Sequence, residues 1–220
     1  MKKEDILKII SLFLIILLIV SGCKLTGKKD KDKIVKEEVY SGTKGLELKF
    51  LKNLPPSRLY DAAPLEIMAE LENKGTYDLN NQNCFLHVYG FDPNTFLGLE
   101  RTKYCGDLKG KSVEYYQGDR GIVEFKTDTI ELMEGLDSLP QNFVLGACYD
   151  YQTLANPIVC VDPTYYKIQA IEGACTVKDV SLSGGQGAPV AVTRIGVTML
   201  GSDKVSFEID VKNVGGGAVL

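Results

Sequence analysis

The sequence predicts an all-β chain folded as an antiparallel sandwich. Three observations predict it. Short apolar stretches recur along the body at intervals of roughly 8 to 12 residues, the spacing of strands in a sandwich. Within several of them apolar and polar residues alternate, which is the period of an extended chain with one face buried. Gly, Pro and Asn fill the intervals, and only residues 129–139 read as a short helix. A parallel fold would need helical patterns of about 10 to 15 residues between successive strands, and these are missing.

The N-terminal element, residues 1–22, is a hydrophobic signal or anchor helix. Lys2, Lys3 and Lys8 precede residues 9–20, which are apolar apart from Ser11. That run matches the apolar region of an export signal and is shorter than the roughly 20 residues of a membrane span. The junction Val20-Ser21-Gly22-Cys23 resembles the lipobox of prokaryotic lipoproteins, an aliphatic residue and two small ones before a cysteine. The resemblance implies cleavage between Gly22 and Cys23 and lipidation of the Cys23 thiol. The alternative is an uncleaved anchor over 6–22 with Cys23 at the membrane interface. Either way the body is expected on the extracytoplasmic face of the cell membrane, at the cell surface, with the membrane as a partner.

Residues 23–44 are expected to form a flexible charged linker, Lys-rich and poor in apolar side chains. Residues 24–44 hold seven Lys against four acids, while residues 45–220 hold 15 Lys plus Arg against 23 Asp plus Glu. A basic stalk therefore carries an acidic body, and the body's charge argues against nucleic acid as a partner.

The first β-domain is expected over 45–172. Leu46, Leu48 and Phe50 alternate with Glu47 and Lys49 in its first strand. Pro55 and Pro56 interrupt pairing, because proline lacks an amide donor. A second strand is expected over 64–72, with Leu65, Ile67, Ala69 and Leu71 on one face, closing at Asn73-Lys74-Gly75. Further strands are expected over 84–89, 95–105, 113–116, 121–127, 142–153 and 157–161.

A partial second β-domain is expected over 173–220: strands at 177–182, 190–200 and 205–213, with the glycine-rich loop SGGQGAP over 183–189. In the last strand Val205, Phe207, Ile209 and Val211 alternate with Ser206, Glu208, Asp210 and Lys212. The stretches FEIDVKNVGGG and PLEIMAELENKGTYDL share a plan, an alternating strand followed by Asn and then Gly. Both resemble the strand and turn of immunoglobulin-like modules that occur in tandem on prokaryotic surface proteins, the cell-adhesion-related bacterial or archaeal (CARDB-type) domains. The resemblance implies an Ig-like sandwich and no site. Three strands do not close a sandwich, so the 220 residues are expected to be a fragment whose second domain continues, or else the tail packs on the first domain.

In an exported chain the cysteines after Cys23 should pair. Cys84, Cys105, Cys148, Cys160 and Cys175 are the disulfide candidates. Cys148 and Cys160 are expected to meet across a hairpin and Cys84 to pair with Cys105. Cys175 is left odd, with a partner beyond Leu220. No metal is expected, since no C-x-x-C spacing occurs and His87 is the single histidine.

No residue set carries a catalytic pattern, and no cofactor is expected. His87 lies in the run LHVYG and reads as a structural strand histidine. Gly184, Gly185 and Gly187 sit between strands, unlike a nucleotide loop. Asp78, Asn80, Asn81 and Asn83, or Asp92 and Asn94, offer oxygens for calcium but lack EF-hand spacing and read as turn residues. Tyr104, Tyr115, Tyr116, Tyr151, Tyr165 and Tyr166 offer a contact surface. The expected function is non-enzymatic: a membrane-anchored lipoprotein presenting disulfide-braced Ig-like domains to an envelope or protein partner. The rival is a ligand-binding or enzymatic ectodomain with a pocket built from loops.

Overall fold

The computed structural model describes residues 39–167 and 175–220. Within them the chain is all-β, with antiparallel pairing throughout and three sheets of three strands. The expected anchor helix over 1–22 and the lipidation site Cys23 lie outside the described residues. Among the described residues no helix is long and apolar enough to cross a membrane.

The first sheet joins β1 (Leu46–Phe50), β2 (Leu65–Asn73) and β5 (Arg120–Thr127) in the order β1-β2-β5. An extended chain sends alternate side chains to opposite faces. In β2 the inward set Leu65, Ile67, Ala69 and Leu71 is fully buried, and Glu66, Glu70 and Glu72 stand on the other side. The second sheet joins β3 (Cys84–Tyr89), β4 (Thr102–Tyr104) and β6 (Val144–Tyr149) in the order β4-β3-β6. Its inward Cys84, Leu86 and Val88 share one core with the β2 row and Phe125. Each large side chain there contributes about 2 kcal/mol by leaving water. Phe91, Phe96 and Phe143 cap the core with ring centroids 5.2 to 5.3 Å apart. The Cys84–Cys105 disulfide ties the start of β3 to the chain just beyond β4.

Asn73, at the end of β2, is buried and fully bonded. Its Nδ2 donates to the carbonyls of Tyr77 (2.8 Å) and Leu108 (3.1 Å), its Oδ1 accepts from the Gly75 amide (3.1 Å), and its own amide donates to Asp119. A buried amide side chain is tolerated because every polar atom is satisfied. It fastens the turn after β2 to the Leu79–Leu108 bridge.

The third sheet joins β7 (Val180–Ser181), β8 (Val190–Met199) and β9 (Val205–Asn213) in sequence order. A bulge between Val192 and Arg194 breaks the β8–β9 register. On the polar face Arg194 reaches Asp179 (2.7 Å), Glu208 (2.7 Å) and Asp210 (2.9 Å), tying the three strands' neighbourhoods together. The loop before β8 docks on the chain before β1 and on the turn after β2. Gly187 donates to the Gly42 carbonyl (2.9 Å), Gly42 to Gly184 (2.6 Å), and Thr76 to Gly187 (3.0 Å). Gly185 has φ +71, and a Cβ there would overlap the Gly42 carbonyl, so the backbones approach only because the side chain is missing. Val39, within the stretch expected to be a linker, is buried.

Several expected elements differ. The helix expected over 129–139 is absent: Ile130 pairs its backbone with Ala62 and Ala63 and buries its side chain, and Gly135 turns the chain at φ +85. Residues 113–116 and 157–161 form no strand, and the strand expected over 95–105 is confined to β4. At 113–116 a tight turn prevents pairing, the Ser112 amide donating to Tyr115 and its hydroxyl accepting from Glu114 and Tyr115.

Candidate functional site

Burying Cys84, Leu86 and Val88 fixes the phase of β3, so Phe85, His87 and Tyr89 point outward. The register sets their neighbours. Phe85 lies between Tyr104 on β4 and Cys148 on β6, His87 between Thr102 and Gly146, and Tyr89 beside Val144. Three aromatic side chains of this face are open to solvent: Phe85 at 44%, Tyr89 at 48% and Tyr104 at 65%.

The His87 ring is held in place. Its Nδ1 lies 2.8 Å from the Thr102 hydroxyl, and it stacks on the Tyr89 ring at a centroid separation of 6.0 Å and an interplanar angle of 22°. Gly146 makes room for this arrangement, since a Cβ there would stand 3.3 Å from the Tyr89 ring. The outer face is therefore an aromatic platform edged by hydroxyls and an imidazole. Such side chains supply large contact area with few rotatable bonds and carry their own hydrogen-bonding tips. Below it, the core row and the Cys84–Cys105 bridge fix the strand, so contact at the platform orders little.

Of the cysteines expected to pair, Cys84 and Cys105 are joined, with Cα atoms 5.5 Å apart. Cys160 is joined to Cys175, not to Cys148. Cys148 is a free, exposed thiol on the platform opposite Phe85. The hairpin expected to bring Cys148 to Cys160 does not form, because residues 150–161 leave β6 without making a strand. Cys175 thus finds its partner inside the chain.

The oxygen-bearing residues are engaged in turns. Asp78 accepts from Lys109 Nζ (2.8 Å) and the Gly110 amide (2.8 Å), and these hold its carboxyl below the ordinary range against the opposing effect of burial. Asn83 donates to the Asp78 carbonyl and accepts from the Asn80 amide, while Asn81 accepts from Gly106 and Asp92 from Asn94. Among the described residues no group of three or more His, Cys, Asp or Glu is placed to hold a metal ion. Gly184, Gly185 and Gly187 serve the docking loop described above. Of the tyrosines, Tyr104 belongs to the platform. Tyr165 and Tyr166 pack edge-on, and the Tyr166 hydroxyl donates to the Met199 carbonyl.

An open groove of about 1400 Å³ runs beside the platform, between β1, the end of β6 and residues 214–220. Tyr149, Asp150, Tyr151, Gln82 and Asn83 give it a polar and aromatic lining.

The platform residues Phe85 and Tyr89 escape sequence reading because β3 is apolar on both faces, so alternation does not separate them from the core. The available signal was Cys84: a buried disulfide cysteine sets the inward phase and leaves its odd-numbered neighbours outside. No protein-family model, curated protein or solved structure matches this chain.

Proposed function

We propose that this chain is a membrane-tethered lipoprotein of the cell surface, whose disulfide-braced Ig-like domains act as a non-enzymatic interaction module. The observation that carries the recognition role is the outward aromatic platform of Phe85, His87, Tyr89 and Tyr104 on a sheet whose inner side is buried and covalently braced. A monomeric domain keeps aromatic residues clustered on an open sheet face at a cost in solubility, and such patches mark contact surfaces.

The strand arrangement supports the Ig-like reading. The first, second and fifth strands share one sheet and the third, fourth and sixth the other, as A-B-E faces C′-C-F in the immunoglobulin plan. Export and lipidation rest on the apolar run over 9–20 and the junction before Cys23, and two disulfides are chemistry of an oxidising compartment.

Two measurements test the proposal. Mass spectrometry of the N-terminus from a membrane fraction is expected to find a lipid-modified Cys23; an intact, unmodified Met1 rules out the lipoprotein. Binding of the purified protein to isolated cell envelope is expected to fall at least tenfold in a Phe85→Ser, Tyr104→Ser double variant. Unchanged binding removes the platform from the recognition role.

A further inference from the structure

The first domain is open along one flank, beside β6. The Asp150 amide donates to the Asn83 carbonyl (2.9 Å) and extends the β3–β6 ladder by one pair. Antiparallel bonding alternates, so the backbone of Gly146 and Cys148 points to β3, and that of Leu145, Ala147 and Tyr149 points away from it. No strand pairs with that outer edge among the described residues. Across the groove β1 presents a second edge: Gly45 bonds to Lys74 and Leu51 to Met68, which turns the backbone of Leu46 and Leu48 away from β2. The side chains between these edges are half covered. Leu46, Leu48, Leu145, Ala147 and Tyr149 pack on the core without being enclosed by it, unlike the β2 row at 0% exposure.

The segment after β6 carries what this flank lacks. Residues 157–161, Pro-Ile-Val-Cys-Val, are β-branched at three of five positions, yet they make no strand. Ile158 is 88% exposed and Val161 43%. Consecutive segments of a sheet usually pair, because the connection is short. Here the segment is drawn off: the Thr153 hydroxyl donates to the Val190 carbonyl, and Cys160 is bonded to Cys175. Cys148, on β6, keeps a free and exposed thiol.

We propose that Cys148, Cys160 and Cys175 form a thiol–disulfide switch, in which Cys148 displaces Cys175 and straps residues 157–161 onto the outer edge of β6. The Cys148 thiolate attacks the Cys160 sulfur. A Cys148–Cys160 bond forms, the Cys160–Cys175 bond breaks, and Cys175 leaves as a thiolate that takes up the proton Cys148 gave. One disulfide and one thiol are present before and after, so no oxidant or reductant is consumed. The register suits the new bond. Because the Cys148 backbone is spent on β3, its outer side is a non-hydrogen-bonded position, where facing Cα atoms stand about 4.5 Å apart. That separation lies within the span of a disulfide. Cys160 opposite Cys148 sets Val159 beside Tyr149 and Val161 beside Ala147, both facing inward. The strap thus covers the half-exposed flank and gives partners to the outward amides and carbonyls of Ala147 and Tyr149. Pro157, which lacks an amide donor, falls at the start of the strap, where proline is tolerated.

Non-reducing peptide mapping of the full chain, with amide hydrogen exchange on the same samples, tests the switch. The protein is held at about pH 8.5, where thiolate is available for exchange, and portions are quenched with acid over time. A Cys148–Cys160 peptide is expected to accumulate within single chains, while Cys175 opens to iodoacetamide and Cys148 closes to it. Hydrogen exchange of the Ala147 and Tyr149 amides is expected to slow at least about tenfold as that linkage fills. Cys148→Ser is expected to keep the Cys160–Cys175 linkage and the original exchange rates. The proposal is overturned if Cys175 stays bonded throughout, if the Cys148–Cys160 linkage joins two chains, or if it forms without slowing those amides. Release of Cys175 in Cys148→Ser overturns it equally. Mapping is read on the unsubstituted chain, so it decides even where the variant fails to fold.

Discussion

Asn73 and Asn213 close their strands with the same two side-chain hydrogen bonds, yet one is buried and the other stands in solvent. Asn73 adds a third bond, to the Leu108 carbonyl, so the two sites differ in burial and in that one contact. Asn73→Ala leaves the Tyr77 and Leu108 carbonyls and the Gly75 amide without their partner in a dry environment, at a cost of about 3 kcal/mol. Asn213→Ala exposes its groups to water and costs under about 1 kcal/mol. Urea unfolding of the two variants checks this, and equal losses would contradict the role given to burial.

Gly118 meets the same asparagine from outside. It has φ +72, and a Cβ there would overlap the Asn73 carbonyl oxygen. The β2 end and the chain entering β5 therefore come together only with glycine at this position. Gly118→Ala is expected to destabilise by about 3 kcal/mol, since both the backbone conformation and the space are unavailable to alanine. Gly98→Ala, with similar positive φ but open space around it, separates the two causes and is expected to cost about 1 kcal/mol. Thermal unfolding of the pair measures the difference.

The alternation of β2 and β9 was legible residue by residue, and β3 and β9 begin and end where composition alone placed them. Alternation reports a strand whose two faces meet different surroundings. It fails where both faces are apolar, which is why Phe85, His87 and Tyr89 were not separable from Leu86 and Val88. It fails again over 129–139, where Ile130 enters the core from an irregular segment without any period. Disulfide connectivity depends on where loops carry their ends. Cys148 was expected to pair with Cys160, and the irregular path over 150–161 takes Cys160 to Cys175 instead. The platform depended on the β3–β6 register, which sequence does not encode locally.

That cysteine arrangement makes a chemical prediction. Cys148 is an exposed thiol, while Cys84, Cys105, Cys160 and Cys175 are bonded. Iodoacetamide applied to the folded, unreduced protein is expected to label Cys148 alone of these five. Replacing Cys84 and Cys105 together by Ala is expected to cost about 3 kcal/mol, because the bridge closes a loop of 21 residues in the unfolded chain. Labelling of Cys160 without reductant would contradict the assigned pairing.

The acid response follows from the carboxylates on the outer side of the first sheet. Glu47 and Glu72 face each other across β1 and β2, and Lys74 bridges them at 2.7 and 3.4 Å. Lys74 and Lys44 hold the Glu47 carboxyl down to about 2. For Glu72 burial pushes upward, and the hydrogen bonds from Arg120 and Lys74 outweigh it, leaving the carboxyl below its ordinary value. A carboxylate whose folded value is depressed stabilises the fold at every pH above its unfolded value, and that contribution disappears as pH falls through the folded value. The urea midpoint is therefore expected to stay level from neutrality down to the ordinary glutamate value of 4.5 and to fall between there and about 2. In Lys74→Met the two glutamates face each other without their bridge, so the midpoint at neutral pH drops and the fall below 4.5 becomes shallower. A midpoint that rises on acidification, or a Lys74→Met profile parallel to the wild type, would show that this cluster does not govern the acid limb.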